Sequence, residues 1–192
     1  MLLSMGCKSF EPTLLNPDGT VFNPKLPSME AVVENNLVAI VNSGGQTIGA
    51  NPQDVRTYFD REVKELMTDP YNDKAGVLLL NVNTIENKHQ FIGYMMASVY
   101  TISLFNVLGG PYSVSKSSVE VEIEVLNKNN RLIGSYRGNG SAKLHQGYYS
   151  KTNYNQVDQQ RISYLKAVKN AVQDAKSKLI PDLDRLISEL DN

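Results

Sequence analysis

The sequence of 192 residues contains no tryptophan, a single cysteine and only two histidines. One cysteine excludes an internal disulfide framework and any zinc site built on several cysteines, and two histidines are too few for a histidine-rich metal centre. The formal net charge of -1 gives no basic excess of the kind found in nucleic-acid-binding domains. We therefore expect no metal, no cofactor and no nucleic-acid partner.

The composition is that of one globular domain with an extension. The hydrophobic fraction of 41% is enough to bury a core, and the length corresponds to a single domain plus a tail. Four prolines lie within residues 12–27 and remove backbone donors, which favours an extended chain. We predict an extended tether over residues 7–36 and one domain over residues 37–192.

The first half of this domain shows two buried strands and a helix between them. The apolar runs LVAIV (37–41) and AGVLLLNVNTI (75–85) predict strands, and NSGGQ after the first predicts a turn. Asn51 can cap a helix that begins at Pro52 and ends before Asp69.

The second half shows an antiparallel hairpin followed by a long helix. SVEVEIEVL (118–126) alternates apolar and acidic residues, and a return strand with glycines at 134, 138 and 140 follows, where the glycines indicate a bulge or a close backbone approach. Apolar residues then recur at helical spacing over 162–179, and Pro181 should break that helix. The order predicts an α+β fold, in which a mostly antiparallel sheet carries one helix from the N-terminal half and a long C-terminal helix.

Residues 90–115 contain no aspartate, glutamate, lysine or arginine. The length would suit a transmembrane helix, but polar residues interrupt the stretch and Gly-Gly-Pro at 109–111 breaks it. We expect a buried strand or hairpin covered on both faces, partly by a second subunit, with the Gly-Gly-Pro end at a turn. The alternative is an exposed patch that inserts into a membrane or binds a partner.

Ser113 and Lys116 match the S-x-x-K spacing of serine acyl-enzymes. That chemistry needs a serine at the start of a helix beside a lysine that acts as a base. Here the pair leads into a predicted strand, so we interpret the spacing as chance and expect no catalytic residue.

Glu120, Glu122 and Glu124 share one face of the predicted strand 118–126. Calcium binding needs oxygens that converge from a bent loop, whereas a straight strand spreads its carboxylates. We interpret the three glutamates as a solvated sheet face that also discourages edge-to-edge association.

A tyrosine-rich loop follows the return strand. His145, Tyr148, Tyr149 and Tyr154 lie within it, and aromatic loops of this kind can bind ligands by stacking or can pack against the sheet. These four residues are the predicted contact site for a ligand or protein partner. They also define an alternative function, that of a soluble ligand-binding protein or hydrolase with a pocket in this loop.

The single cysteine, Cys7, lies in the sequence LLSMGCKS. It can carry a lipid, be an inert thiol, or be a reactive thiol. The sequence SMGC resembles the end of a bacterial lipoprotein signal peptide, in which a small residue precedes the acylated cysteine. This resemblance implies that residues 1–6 are the remnant of a signal peptide and that Cys7 is the lipidation site, which would hold the chain on a membrane through acyl groups such as palmitate.

A second resemblance covers residues 117–180. An amphipathic strand, a return strand ending GSYRGNGSA and the helix YLKAVKNAVQDAKSKL are similar to small α+β outer-membrane lipoproteins, such as those of lipopolysaccharide assembly and curli secretion. The resemblance implies a bacterial envelope lipoprotein at the outer membrane, periplasmic or surface-exposed. The expected role is non-enzymatic binding or assembly, with a protein partner or a second copy of the chain.

Overall fold

A computed structural model of the chain describes residues 10–36, 52–71, 73–147, 149 and 154–191. The predicted strand over 37–41, its turn and the Asn51 cap lie outside these residues. The described chain contains a four-stranded mixed sheet, one helix in its first half and a long C-terminal helix, so the predicted α+β fold is confirmed.

The sheet has the strand order β1-β2-β3-β4. Strands β2 (Gly76–Gln90), β3 (Ser113–Asn127) and β4 (Leu132–Gln146) form an antiparallel meander. The edge strand β1 (Met29–Asn36) pairs with β2 in parallel. Successive side chains of a strand point to opposite faces of the sheet. In β3 the apolar residues are therefore buried in the core, and the glutamates between them are on the open face.

The segment before β1 packs on the domain. Phe22 and Leu26 are buried in the core, and backbone hydrogen bonds join the segment to residues 66–69. Where the structure describes the extended segment predicted over 7–36, it is therefore part of the packed domain, and its last eight described residues are a strand of the sheet.

Helices cover one face of the sheet. Helix α1 (Pro52–Glu62) continues into one π turn, Val63–Met67, and ends before Asp69 as predicted. Its apolar residues Val55, Phe59 and Val63 recur at helical spacing and are buried in the core.

The C-terminal helix was predicted in its essentials. The side chain of Asn155 accepts a hydrogen bond from the Asp158 backbone at the start of α4 (Gln156–Leu179). A short 3₁₀ turn that contains Pro181 then separates α4 from α5 (Leu183–Leu190). Helix α4 crosses the sheet over β3 and β4.

The close backbone approach predicted at the glycines of β4 is found. A Cβ atom on Gly138 would lie 2.1 Å from the carbonyl oxygen of Ala171, and one on Gly140 would lie 2.1 Å from that of Ala167. The two glycines therefore let α4 lie directly on β4, because no side chain stands between the two backbones.

The prediction for residues 90–115 was wrong over most of the stretch. It forms two short helices, α2 (Ile92–Tyr100) and α3 (Leu104–Val107), instead of a strand, and most of it is exposed. Strand pairing between β2 and β3 ends at Gln90 and Val114, so the stretch lies beyond the end of the sheet. Helices α1 and α4 already cover the sheet's inner face, which leaves this segment outside the core. The predicted turn at the Gly-Gly-Pro end is confirmed, with Gly109 at a φ of 96°.

Candidate functional site

The main candidate site is a projection at one end of the sheet, residues 91–108, which we call the apolar hairpin. Of the sixteen exposed large hydrophobic residues in the described chain, nine lie in these eighteen residues. They are Phe91, Met95, Met96, Val99, Tyr100, Ile102, Leu104, Val107 and Leu108. Because scattered exposed hydrophobic residues are normal and concentrated ones mark interaction sites, the hairpin is the surface most suited to binding.

A sharp turn forms the tip of the apolar hairpin. Ile102 and Ser103 connect α2 to α3 with positive φ angles of 50° and 65°. Residues other than glycine seldom adopt a positive φ angle, and β-branched residues such as isoleucine do so least readily. This conformation points Ile102 outward, where 92% of its surface is exposed.

The polar side chains on the outer turns of the hairpin bond back to its own backbone. The hydroxyl of Ser98 donates to the carbonyl oxygen of Tyr94 at 2.8 Å, and the hydroxyl of Thr101 donates to that of Ala97 at 2.8 Å. Thr101 also accepts a hydrogen bond from the Phe105 backbone at 3.1 Å. Asn106 is instead buried on the inner side, where its Oδ1 has no partner among the described residues.

Beneath the hairpin, polar side chains replace the apolar core. Ser113 donates to Gln159 of α4 at 3.1 Å, and Ser117 bonds both Asn87 and Ser163. All of these residues are buried. The first turns of α4 are therefore fixed to the base of the hairpin by hydrogen bonds.

One serine–histidine pair lies in this polar layer. Nδ1 of His89 is 2.8 Å from Oγ of Ser115, and burial lowers the pKa of His89 below its ordinary value. Ser115 itself has no solvent exposure, so a substrate cannot reach its hydroxyl in this arrangement.

The S-x-x-K pair does not assemble a nucleophile and a base. Ser113 is buried against α4, whereas the ammonium group of Lys116 bonds Glu86 at 2.7 Å on the opposite face of the sheet. Glu86 also binds Lys88, and these two lysines lower its pKa to about 2.

The glutamates of β3 contact neighbouring strands on the open face of the sheet. Glu122 accepts a hydrogen bond from Ser135 and pairs with Arg137, and both interactions lower its pKa. Glu124 accepts a hydrogen bond from Asn81. Among the described residues, no cluster of three or more histidine, cysteine, aspartate or glutamate side chains could hold a metal ion.

The predicted contact residues of the tyrosine-rich loop that the structure describes lie in different environments. Tyr149 is 72% exposed and its hydroxyl donates to the Val107 carbonyl oxygen at 2.8 Å, so it contacts the apolar hairpin. His145 is exposed on β4 opposite Val114, and the carbonyl of the half-buried Tyr154 accepts a hydrogen bond from Gln159. Tyr148 and Cys7 lie outside the described residues.

The N-terminal segment runs along α4 toward the hairpin end of the molecule. Lys176 donates to the carbonyl of Thr20, Lys169 donates to those of Asn16 and Leu14, and the guanidinium of Arg161 lies 3.8 Å from the ring centre of Phe10. These contacts follow α4 backward to its first turns. Phe10 therefore lies at the end of α4 that is fixed to the base of the hairpin.

Sequence reasoning gave the exposure of residues 90–115 only as the alternative to burial, and it missed the helices of the hairpin and these cationic contacts, although each left a signal. Lys169 and Lys176 follow Leu165 and Val172 by four residues, so they continue the apolar stripe of α4. A lysine on the inward face of a helix indicates a buried partner. For the hairpin, Met95-Met96-Ala97 are helix-forming residues within a run that lacks charge.

No protein-family model matches the sequence, and no curated protein matches it. Among solved structures, the chain is similar to one described as a "putative lipoprotein from Caulobacter crescentus CB15", with 14% sequence identity over 83% of this chain and 91% of that chain. The TM-score of 0.30 is too low to establish a shared fold or function. In the described part of the chain, no helix has the length and hydropathy needed to cross a bilayer.

Proposed function

We propose that the protein is a bacterial envelope lipoprotein whose α+β domain is held at a membrane by acyl chains on Cys7 and acts in binding or assembly, not in catalysis. The sequence SMGC supports the modification, and the proposed location is the outer membrane, on its periplasmic face or at the cell surface. The binding surface would be the apolar hairpin, with the exposed Tyr149 at its side.

The direction of the N-terminal segment is the observation that carries this proposal. Residues 20 to 10 follow α4 toward the hairpin end, and Cys7 precedes Phe10 by only three residues. A chain spans at most about 3.6 Å per residue, so the lipid would be attached within roughly 11 Å of Phe10. The anchor and the apolar hairpin would thus share one end of the part of the molecule that the structure describes.

The non-enzymatic part of the proposal is supported by the positions of the candidate nucleophiles. Ser115 is inaccessible beside His89, and Ser113 is separated from Lys116 by the sheet. Neither pair therefore presents an activated hydroxyl to solvent.

Metabolic labelling tests the anchor. The gene is expressed with its native upstream region in a bacterial host that receives radioactive palmitate, as the wild type and as Cys7→Ala. We expect label in the wild type and none in the variant, because the chain has no other cysteine. An unlabelled wild-type protein would contradict the proposal whatever fraction of the protein sediments with membranes.

A further inference from the structure

We propose that the apolar hairpin inserts into the lipid interface as a second membrane contact beside the acyl anchor. The position of the hairpin relative to that anchor rests on the proposed function. The lipid contact itself rests only on the described residues, and it is tested with a chain that carries no lipid.

The size of the hairpin limits it to the interface. Helix α2 has nine residues and is therefore about 14 Å long, less than half of the ~30 Å hydrocarbon core of a bilayer. It is followed by the sharp turn at Ile102 and by the single turn of α3. The hairpin can therefore enter the headgroup and acyl boundary from one side, as amphipathic interfacial helices do.

The hydrogen bonds of the hairpin favour lipid over a protein as the occupant. Ser98 and Thr101 are already bonded to the hairpin's own carbonyls, and backbone bonds also close the turn, where the Ser103 amide donates to Ser98 at 2.7 Å. A polar group without a partner in lipid costs several kcal/mol, so this internal pairing removes the main obstacle to insertion. A protein interface instead relies on about one hydrogen bond per 100–200 Å² between partners, whereas the hydroxyls of Ser98 and Thr101 are already paired within the hairpin.

The charge distribution predicts how lipid composition and salt affect binding. Residues 90–115 carry no charged side chain, and the two nearest lysines of the flanking strands, Lys88 and Lys116, are both paired with Glu86. Attraction to anionic headgroups is therefore weak, and the driving force is burial of apolar surface. Binding should occur on uncharged vesicles and should persist at high salt.

The orientation agrees with the proposed anchor. Phe10 is stacked on Arg161, and two residues earlier on α4 Gln159 bonds Ser113, which closely follows the hairpin. Acyl chains attached three residues before Phe10 and the hairpin would then enter the same bilayer together. Two weak membrane contacts on one rigid body strengthen each other, as a second lipid chain does for a singly acylated protein.

A tryptophan probe tests insertion directly, because the chain has no tryptophan of its own. The full chain is produced without lipid as Cys7→Ser, and Ile102→Trp is introduced at the 92% exposed tip. The matched control is Ile85→Trp, at a 62% exposed position on β2. With phosphatidylcholine vesicles we expect a blue shift of the emission of the probe at position 102 and its quenching by brominated acyl chains, and neither effect at position 85. Unchanged emission at position 102 would overturn the inference.

Vesicle flotation measures the binding. The unlipidated chain should float with phosphatidylcholine vesicles equally at low and at high NaCl concentration, and Ile102→Asp/Leu108→Asp should reduce the bound fraction by about tenfold or more, because it places two charges in the lipid-facing surface. Ile85→Asp/Leu132→Asp, which also adds two charges at exposed positions, should bind as the parent does. Binding that requires anionic lipid and disappears in salt would contradict apolar insertion. A dimer in detergent-free buffer that the hairpin variant dissociates, without vesicle binding by the parent, would assign the hairpin to a second copy instead.

These results are independent of the palmitate experiment. A labelled Cys7 with a hairpin that does not insert would leave the anchor and overturn only the present inference. Vesicle binding by the unlipidated chain, together with a wild-type protein that takes up no palmitate label, would support the present inference and overturn the acyl anchor.

Discussion

The ammonium group of Lys176 lies 2.5 Å from Oε1 of Glu62, and neither side chain has any exposure to solvent. Lys176 also donates to the Thr20 carbonyl at 2.8 Å, and Gln173 donates to the same Glu62 oxygen at 2.8 Å. One buried cation therefore joins α4, α1 and the N-terminal segment. This cluster fixes the course of that segment along α4.

Removing either charge of this pair should destabilise the fold strongly. Lys176→Met leaves the Glu62 carboxylate in the core without its cation, which costs about 3 to 5 kcal/mol in comparable buried pairs. Urea unfolding followed by circular dichroism measures the loss. Lys178→Met is the matched control, because Lys178 is half exposed on the same helix, and its loss should cost at most about 1 kcal/mol.

The double variant Glu62→Gln/Lys176→Met separates the unpaired charge from lost packing. It removes both charges, so we expect it to regain part of the stability that Lys176→Met loses. A double variant that loses the full sum of the two single effects would contradict the view that the uncompensated carboxylate is the main cost.

The fold could be predicted from sequence where one local pattern has one structural solution. Alternation of Val119, Val121 and Ile123 with glutamates places β3 with one wet face, and the spacing of apolar residues defines α4. The pairing of Lys176 with Glu62 could not be predicted, because 114 residues separate them and only the packing of α4 on α1 brings them together.

The hairpin shows why burial is harder to predict than secondary structure. A run without charged side chains indicates that the segment avoids contact with water. Such a run can equally be buried in a core, in an interface with a protein partner or in a lipid surface. What leaves Ile102 and Leu108 exposed is the length of the sheet, which ends at Gln90 and Val114 with its inner face already covered by other helices. That outcome depends on the whole fold and not on residues 90–115 themselves.

Gly138→Ala should be destabilising by about 2 kcal/mol or more. The added Cβ would lie 2.1 Å from the Ala171 carbonyl oxygen and 2.5 Å from the Ala175 amide nitrogen, and both are backbone atoms that cannot move without shifting α4. Thermal unfolding measures the effect. Gly93→Ala in α2 is the control, where no atom lies within 4 Å of the new Cβ and the better helix propensity of alanine should raise stability by up to about 1 kcal/mol. Equal effects at the two positions would contradict the close-approach explanation.

His89 should make stability depend on pH in the mildly acidic range. Burial lowers its pKa below the ordinary value of 6.5, so the unfolded state binds the proton first as the pH falls. The free energy of unfolding should therefore decrease as the pH falls from about 6.5 toward the lower pKa of the folded state. His89→Gln should flatten this part of the profile, as measured by urea midpoints between about pH 7.5 and 5. A slope that survives in His89→Gln would contradict the assignment.

Arg161 should hold the N-terminal segment at the hairpin end of the molecule. Its guanidinium makes two hydrogen bonds to Asp54 at 2.5 and 2.7 Å and stacks on Phe10 at 3.8 Å, so Arg161→Ala removes an ion pair and a cation–π contact together. We expect faster hydrogen exchange of the Leu14 and Asn16 amides, whose backbone hydrogen bonds form the turn after Phe10. Lys166→Ala, at an exposed position on the same helix, should leave their exchange rates unchanged. Equal protection in Arg161→Ala would mean that the other contacts of the segment, such as the hydrogen bonds from Lys169 to Leu14 and Asn16 and from Arg61 to Asn16, are enough to hold it, and that the direction of the chain at Phe10 does not depend on Arg161.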